Sequence, residues 1–97
     1  MPNVEARFLL ICFTWSGVAK TKELEPTFNL ALDWLRIAPN SWILWSNTDI
    51  AAWNDRVRKF MQPEDSVLIA ELNMSSTPDK FSGFQHQWVW DWVQKAR

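Results

Sequence analysis

The chain has no tyrosine, one cysteine, one histidine and two glycines among its 97 residues. With Cys12 alone, an intrachain disulfide or a cysteine-rich metal site is impossible. Flanked by Ile11 and Phe13 and with no cationic neighbour, it reads as an inert core thiol. His86 alone excludes two-histidine metal motifs and leaves any catalytic triad dependent on it. Ser82 lies close by, but neither a suitably placed aspartate nor an oxyanion-hole glycine accompanies the pair, so His86 reads as a surface or interface residue. Gly17-Val18-Ala19-Lys20-Thr21 lacks the second glycine that a phosphate-cradling loop needs before its lysine. No cofactor and no metal ligand set is expected.

Long apolar runs are missing too. The longest is Phe8–Phe13, against the roughly 20 residues of a bilayer span. Glu5 and Arg7 precede it and no small-residue cleavage site follows, so it does not read as a signal peptide. The expectation is a cytoplasmic protein with no membrane partner. Charge of one sign is also lacking: ten Lys and Arg face eleven Asp and Glu, a net charge of −1. Nucleic-acid binding would have to rest on a local basic patch.

What the chain has is tryptophan, eight residues of it, with Trp42 near Trp45 and Trp88, Trp90 and Trp92 grouped near the end. Each indole is a large apolar plate with one N–H donor. The length predicts one domain over residues 1–97, too small to hide eight Trp and six Phe completely. The surplus points to a homodimer or a docking face, with residues 81–97 packed on a partner subunit.

Residues 7–13 are almost continuously apolar, as suits a central strand covered on both faces. Leu24, Phe28, Ala31, Leu32 and Leu35 then follow helical spacing, with Pro26 in the first turn. That helix either reaches Ile37, or ends near Leu32 and leaves Trp34–Ala38 as a strand turning at Pro39-Asn40. Residues 41–47 read as a strand, and Thr48 as the cap of a helix whose apolar face is Ile50, Trp53, Val57, Phe60 and Met61. Residues 66–72 read as a strand and Phe81–Gln87 as a possible edge strand. In the tail, Val89, Val93 and Ala96 join Trp88 and Trp92 in a helical stripe, which favours helix over strand. The order predicts an α+β fold, ferredoxin-like βαββαβ with an added C-terminal helix or strand; the alternative is a three-stranded α/β unit.

The Trp-Ser ending of the first strand, the run SWILWSNTDIAAWNDRV, the run PEDSVLIAEL, and a Gly-Phe before a Trp-bearing helix together resemble the SinR-like proteins. These are small bacterial proteins related to the ferredoxin-fold subunit of the CRISPR integrase, distinct from the helix-turn-helix regulator of the same name. The similarity is best over Ser41–Leu72. It implies the βαββαβ fold and homodimers whose C-terminal segments cross between subunits. In nuclease-active relatives an aspartate closes the first strand and binds a divalent cation. Thr14 (or Phe13) stands there in this chain, and a hydroxyl is a poor substitute for a carboxylate on Mg²⁺.

Trp88, Trp90, Trp92 and Phe84 are therefore the expected dimer contacts. Trp15, in a Ser-Gly loop, and Trp90 are expected outside the core. Trp15 with Arg56, Arg58 and Lys59 is the candidate nucleic-acid contact, although cations near a helix C-terminus have a structural use of their own. The leading expectation is a non-enzymatic homodimeric interaction or regulatory protein, with nucleic acid as a candidate partner. The alternatives are a divalent-metal nuclease or ribonuclease toxin of related fold, and a small binding module with an exposed aromatic surface.

Overall fold

A computed structural model describes residues 3–74 and 87–96 of the chain. Among these residues four strands form one sheet in the order β2-β3-β1-β4: β1 is Asn3–Thr14, β2 Asp33–Ala38, β3 Ser41–Thr48 and β4 Ser66–Leu72. Every neighbouring pair is antiparallel. The three-stranded α/β alternative is thereby corrected: Asp33–Ala38 joins β3 through the Pro39-Asn40 turn and becomes the fourth strand. The class is α+β.

Strand β1 lies between β3 and β4, and its run of bulky residues supplies both faces because successive side chains point opposite ways. Leu9, Ile11 and Phe13 join Trp42 and Leu44 of β3 in one core. Phe8 joins Ile43 and Met74 in the other, with Leu10 and Trp45 packed at its margin. Helix α2 (Ile50–Arg58) covers the first face with Trp53 and Val57. A four-residue helix α1 (Thr21–Leu24) and a 3-10 helix (Glu25–Leu30) cover the same face with Leu24 and Phe28. Helix α3 (Gln87–Ala96) covers the second face with Val93, Trp92 and Ala96.

Three expectations change in detail. The periodic stripe beginning at Leu24 does not continue as a helix: Pro26 sits in the first turn of the 3-10 segment, which ends at Leu30. Leu32 is exposed and Leu35 belongs to β2, because ladder pairing with β3 outweighs local helical spacing. Thr48 is not the cap of α2. It ends β3, and Asp49 caps instead, its carboxylate accepting the Ala52 N–H at 2.8 Å. Cys12 is half-buried, outside both core groups, and its sulfur accepts the Ser41 hydroxyl at 3.3 Å. Of the edge strand expected over Phe81–Gln87, residues 81–86 lie outside the described residues and Gln87 instead begins α3. No helix among the described residues is long and apolar enough to cross a membrane.

The 3-10 segment gives a direct test of this packing. Phe28 is fully buried and Leu30 is 62% exposed. Phe28→Ala is expected to cost about 3–5 kcal/mol in denaturant unfolding, and Leu30→Ala less than about 0.5 kcal/mol. Similar losses at both positions would show that the segment does not pack through Phe28.

Candidate functional site

The eight indoles define what surface the fold keeps and what it leaves open. Trp42 and Trp53 are fully buried. Trp53 donates to Ser46 Oγ at 2.9 Å, and Trp42 to Glu25 Oε2 at 3.0 Å. Arg36 lies over the Trp42 ring and Arg56 over the Trp53 ring, at 5.2 and 4.6 Å from the centroids. Trp34 donates to Asn29 Oδ1 and Trp15 to Asn40 Oδ1. Each such bond ties a ring to an element it does not belong to, and removes the donor from any ligand's use.

The tail helix places its grouped indoles differently from one another. Trp92 lies against Phe8 on the sheet's second face, and its N–H reaches Asp33 Oδ2 of β2 at 3.0 Å. Val89 and Val93 are buried beside it. The stripe expected to meet a partner subunit is thus accommodated, at Trp92, Val93 and Ala96, by the chain's own sheet. Trp88 is 50% exposed and Trp90 half-buried, the reverse of the expectation that Trp90 is the outward one. Both lie about 100° around the helix from Val89, on opposite flanks. Phe84 and His86 fall outside the described residues.

Two of the candidate nucleic-acid contacts, Trp15 and Arg56, are engaged within the chain. Trp15 packs against the core edge with its ring stacked on Phe13, centroids 4.9 Å apart and planes 7° apart. One indole face and the N–H are therefore already occupied. Arg56 lies over Trp53, and its Nη1 is buried with no hydrogen-bond acceptor among the described residues. Arg58 donates to Asn54 Oδ1 at 3.0 Å across one helical turn, and both Arg58 and Lys59 are exposed.

At the end of β1, Thr14 is exposed opposite Ser66. Beside it lies Asp65, a buried carboxylate to which the sequence reading gave no role. It accepts the Ser16 N–H at 2.7 Å, the Ser16 hydroxyl at 2.8 Å and the Gln62 N–H at 2.8 Å. The partners lie up to 49 residues apart, so no local pattern could have revealed the bracket. The Ser16 backbone N–H holds the Asp65 carboxyl below its ordinary range, helped by the Gln62 N–H, the Ser16 hydroxyl and the charge of Lys20, with burial opposing. Its oxygens pin the loop after β1 to the turn before β4. Among the described residues no group of three or more His, Cys, Asp or Glu could hold a metal ion.

No protein-family model matches the chain, and neither a curated protein nor a solved structure matches it. The surface itself must carry the functional reading. Among the described residues, the large apolar side chains most open to solvent are Val18, Leu30, Leu32, Leu68 and Trp88. Of these, Leu68 alone sits in the sheet, on edge strand β4 and at 59% exposure. Alternation along β4 puts it on the same face as Leu72, the face that α3 covers. The reason for its exposure is geometric. Outer strands of a four-stranded sheet lie about 14 Å apart, and one helix with side chains is about 10–12 Å across. The Trp92–Asp33 bond draws α3 toward β2, and β4 is the opposite edge.

Asp65 sets a pH dependence. A carboxylate whose folded value is depressed stabilises the fold above its unfolded value, about 3.9, and that contribution is lost as pH falls through the folded value. Asp65→Asn should be less stable than wild type near neutrality and converge on it below roughly pH 3.9. Thermal midpoints measured across that interval check this; a constant difference down to the acid end would remove the assignment.

Proposed function

We propose that the protein is a ferredoxin-like interaction or regulatory module that works as a homodimer and performs no reaction of its own. The fold half of this reading is supported by the sheet, which from the β4 edge runs β4-β1-β3-β2 with antiparallel neighbours. It is supported too by the two crossovers, β1 to β2 and β3 to β4, whose helices share one face. The relationship to the SinR-like proteins is part of the same proposal.

The observation that carries the functional half is the exposed apolar surface on α3's side of the sheet, where Leu68 stays open after the helix has docked. Exposed apolar side chains on a sheet edge are a site of association. The indoles argue against a ligand shelf as the alternative use. Trp15, Trp34, Trp42, Trp53 and Trp92 all donate their N–H groups within the chain.

The nuclease reading finds less support. It needs a carboxylate free to take a cation at the end of β1, where Thr14 stands and where Asp65 is already committed to Ser16 and Gln62. Sedimentation velocity at micromolar concentration should give twice the chain mass, and a monomer there would remove the homodimer. Incubation of purified protein with RNA or DNA and Mg²⁺ or Mn²⁺ should leave the nucleic acid intact. Metal-dependent cleavage that disappears on changing Glu64 or Glu23 would overturn the non-enzymatic reading.

A further inference from the structure

The two edges of the sheet are unequal. Backbone directions follow from two bonds. The Phe13 N–H reaches the carbonyl of Asn40, just before β3, at 2.9 Å, so odd-numbered residues of β1 turn their backbone polar groups toward β3. The even-numbered ones turn toward β4, which makes Leu10↔Ala70 and Cys12↔Leu68 the hydrogen-bonded pairs of that ladder. In β4, then, Leu68 and Ala70 face β1, and Val67, Ile69 and Glu71 direct their N–H and C=O groups outward. Likewise Leu32 donates to the carbonyl of Trp45, so odd-numbered residues of β3 face β2 and pair with Asp33 and Leu35. Trp34 and Arg36 are the residues of β2 that face outward.

The β2 edge is guarded. The outward N–H of Trp34 is taken at 2.8 Å by the carboxylate of its neighbour Asp33. The ladder also breaks register between Arg36 and Ala38, and Arg36 adds a charge. These are devices by which sheet edges avoid further pairing. The β4 edge has neither a proline nor a bulge, and its one charged side chain, Glu71, lies 3.1 Å from Arg7 Nε.

We infer that β4 pairs with β4 of a second copy, antiparallel and centred on Ile69, to make one continuous sheet of both subunits. The inference rests on the homodimer reading above and names its contact. A second copy fits for reasons of charge and size. Antiparallel pairing about Ile69 sets Glu71 opposite Val67 and keeps the two carboxylates at opposite ends of the seam, whereas a parallel arrangement would stack them. The same register places each Leu68 beside the other copy's Ala70 on α3's side, a large residue against a small one. That contact covers the exposed Leu68 side chains. The outward groups of Val67, Ile69 and Glu71 acquire partners.

Amide hydrogen exchange on the full chain, run alongside sedimentation, tests this. The amides of Val67, Ile69 and Glu71 should be protected at concentrations where the dimer forms and exchange freely on dilution. Leu68→Lys, at an exposed site, should keep the circular dichroism of wild type and raise the dimer Kd by about tenfold or more. Trp88→Lys should leave it unchanged. Ile69→Pro removes an outward donor that β1 does not use and should also give monomer, with Ile69→Val as its dimeric control. A dimer whose three amides exchange freely, or that Trp88→Lys dissociates and Leu68→Lys does not, would overturn the edge contact and leave the homodimer reading standing. Protection persisting in dilute monomer would place the acceptors within the chain and overturn it too. A wild type that never dimerises would remove both.

Discussion

The structure depends on burying one strand from both sides. Phe8–Phe13 cannot show either face to water, so β1 must be central in the sheet and both faces must be covered. One face is met by α2 and the short helices before β2, the other by α3. Each cover comes from a different part of the chain, so the fold closes only when the tail has joined. The two cores have different character. The first is filled by Phe28, Trp42 and Trp53, with rings tilted against one another. The second, among the described residues, rests on Phe8, Ile43, Met74 and Val93.

Within that frame the indoles serve as braces. Trp53 ties α2 to β3, Trp42 ties β3 to the 3-10 segment, Trp15 ties the loop after β1 to the Asn40 turn, and Trp92 ties α3 to β2. A buried N–H left without an acceptor would cost about 1–3 kcal/mol, so each bond fixes the ring's orientation as well as its depth. Asp65 does similar work without a ring, joining two loops at one end of the sheet. Between them these contacts leave few polar groups at the Trp-rich positions free to receive a ligand.

Much of this was legible in the sequence and some was not, for identifiable reasons. Strands β1, β3 and β4 and helix α2 announce themselves because periodicity and burial agree there. The boundary between the 3-10 segment and β2 stayed open, because Leu32 and Leu35 continue the helical spacing and only pairing with β3 breaks it. Asp49 displaced Thr48 as the cap because Thr48 is held in β3, where its N–H bonds to Ser46 Oγ. Which of Trp88 and Trp90 faces outward depends on how α3 lies on the sheet, which spacing along one helix does not encode. The contacts of Asp65 with Ser16, and the exposure of Leu68, belong to tertiary structure alone.

The carboxylate of Asp33 has a consequence for the size of any assembly. By occupying the Trp34 N–H it helps the register break after Arg36 to guard the β2 border, so the proposed pairing would use the β4 border alone. A two-fold contact between like surfaces uses that border up in both participants, and nothing remains for a third molecule. Were the β2 side open as well, head-to-tail addition would have no natural stopping point. Under the proposed pairing, the guarded β2 border is what would keep a finite pair from growing into an open-ended fibre.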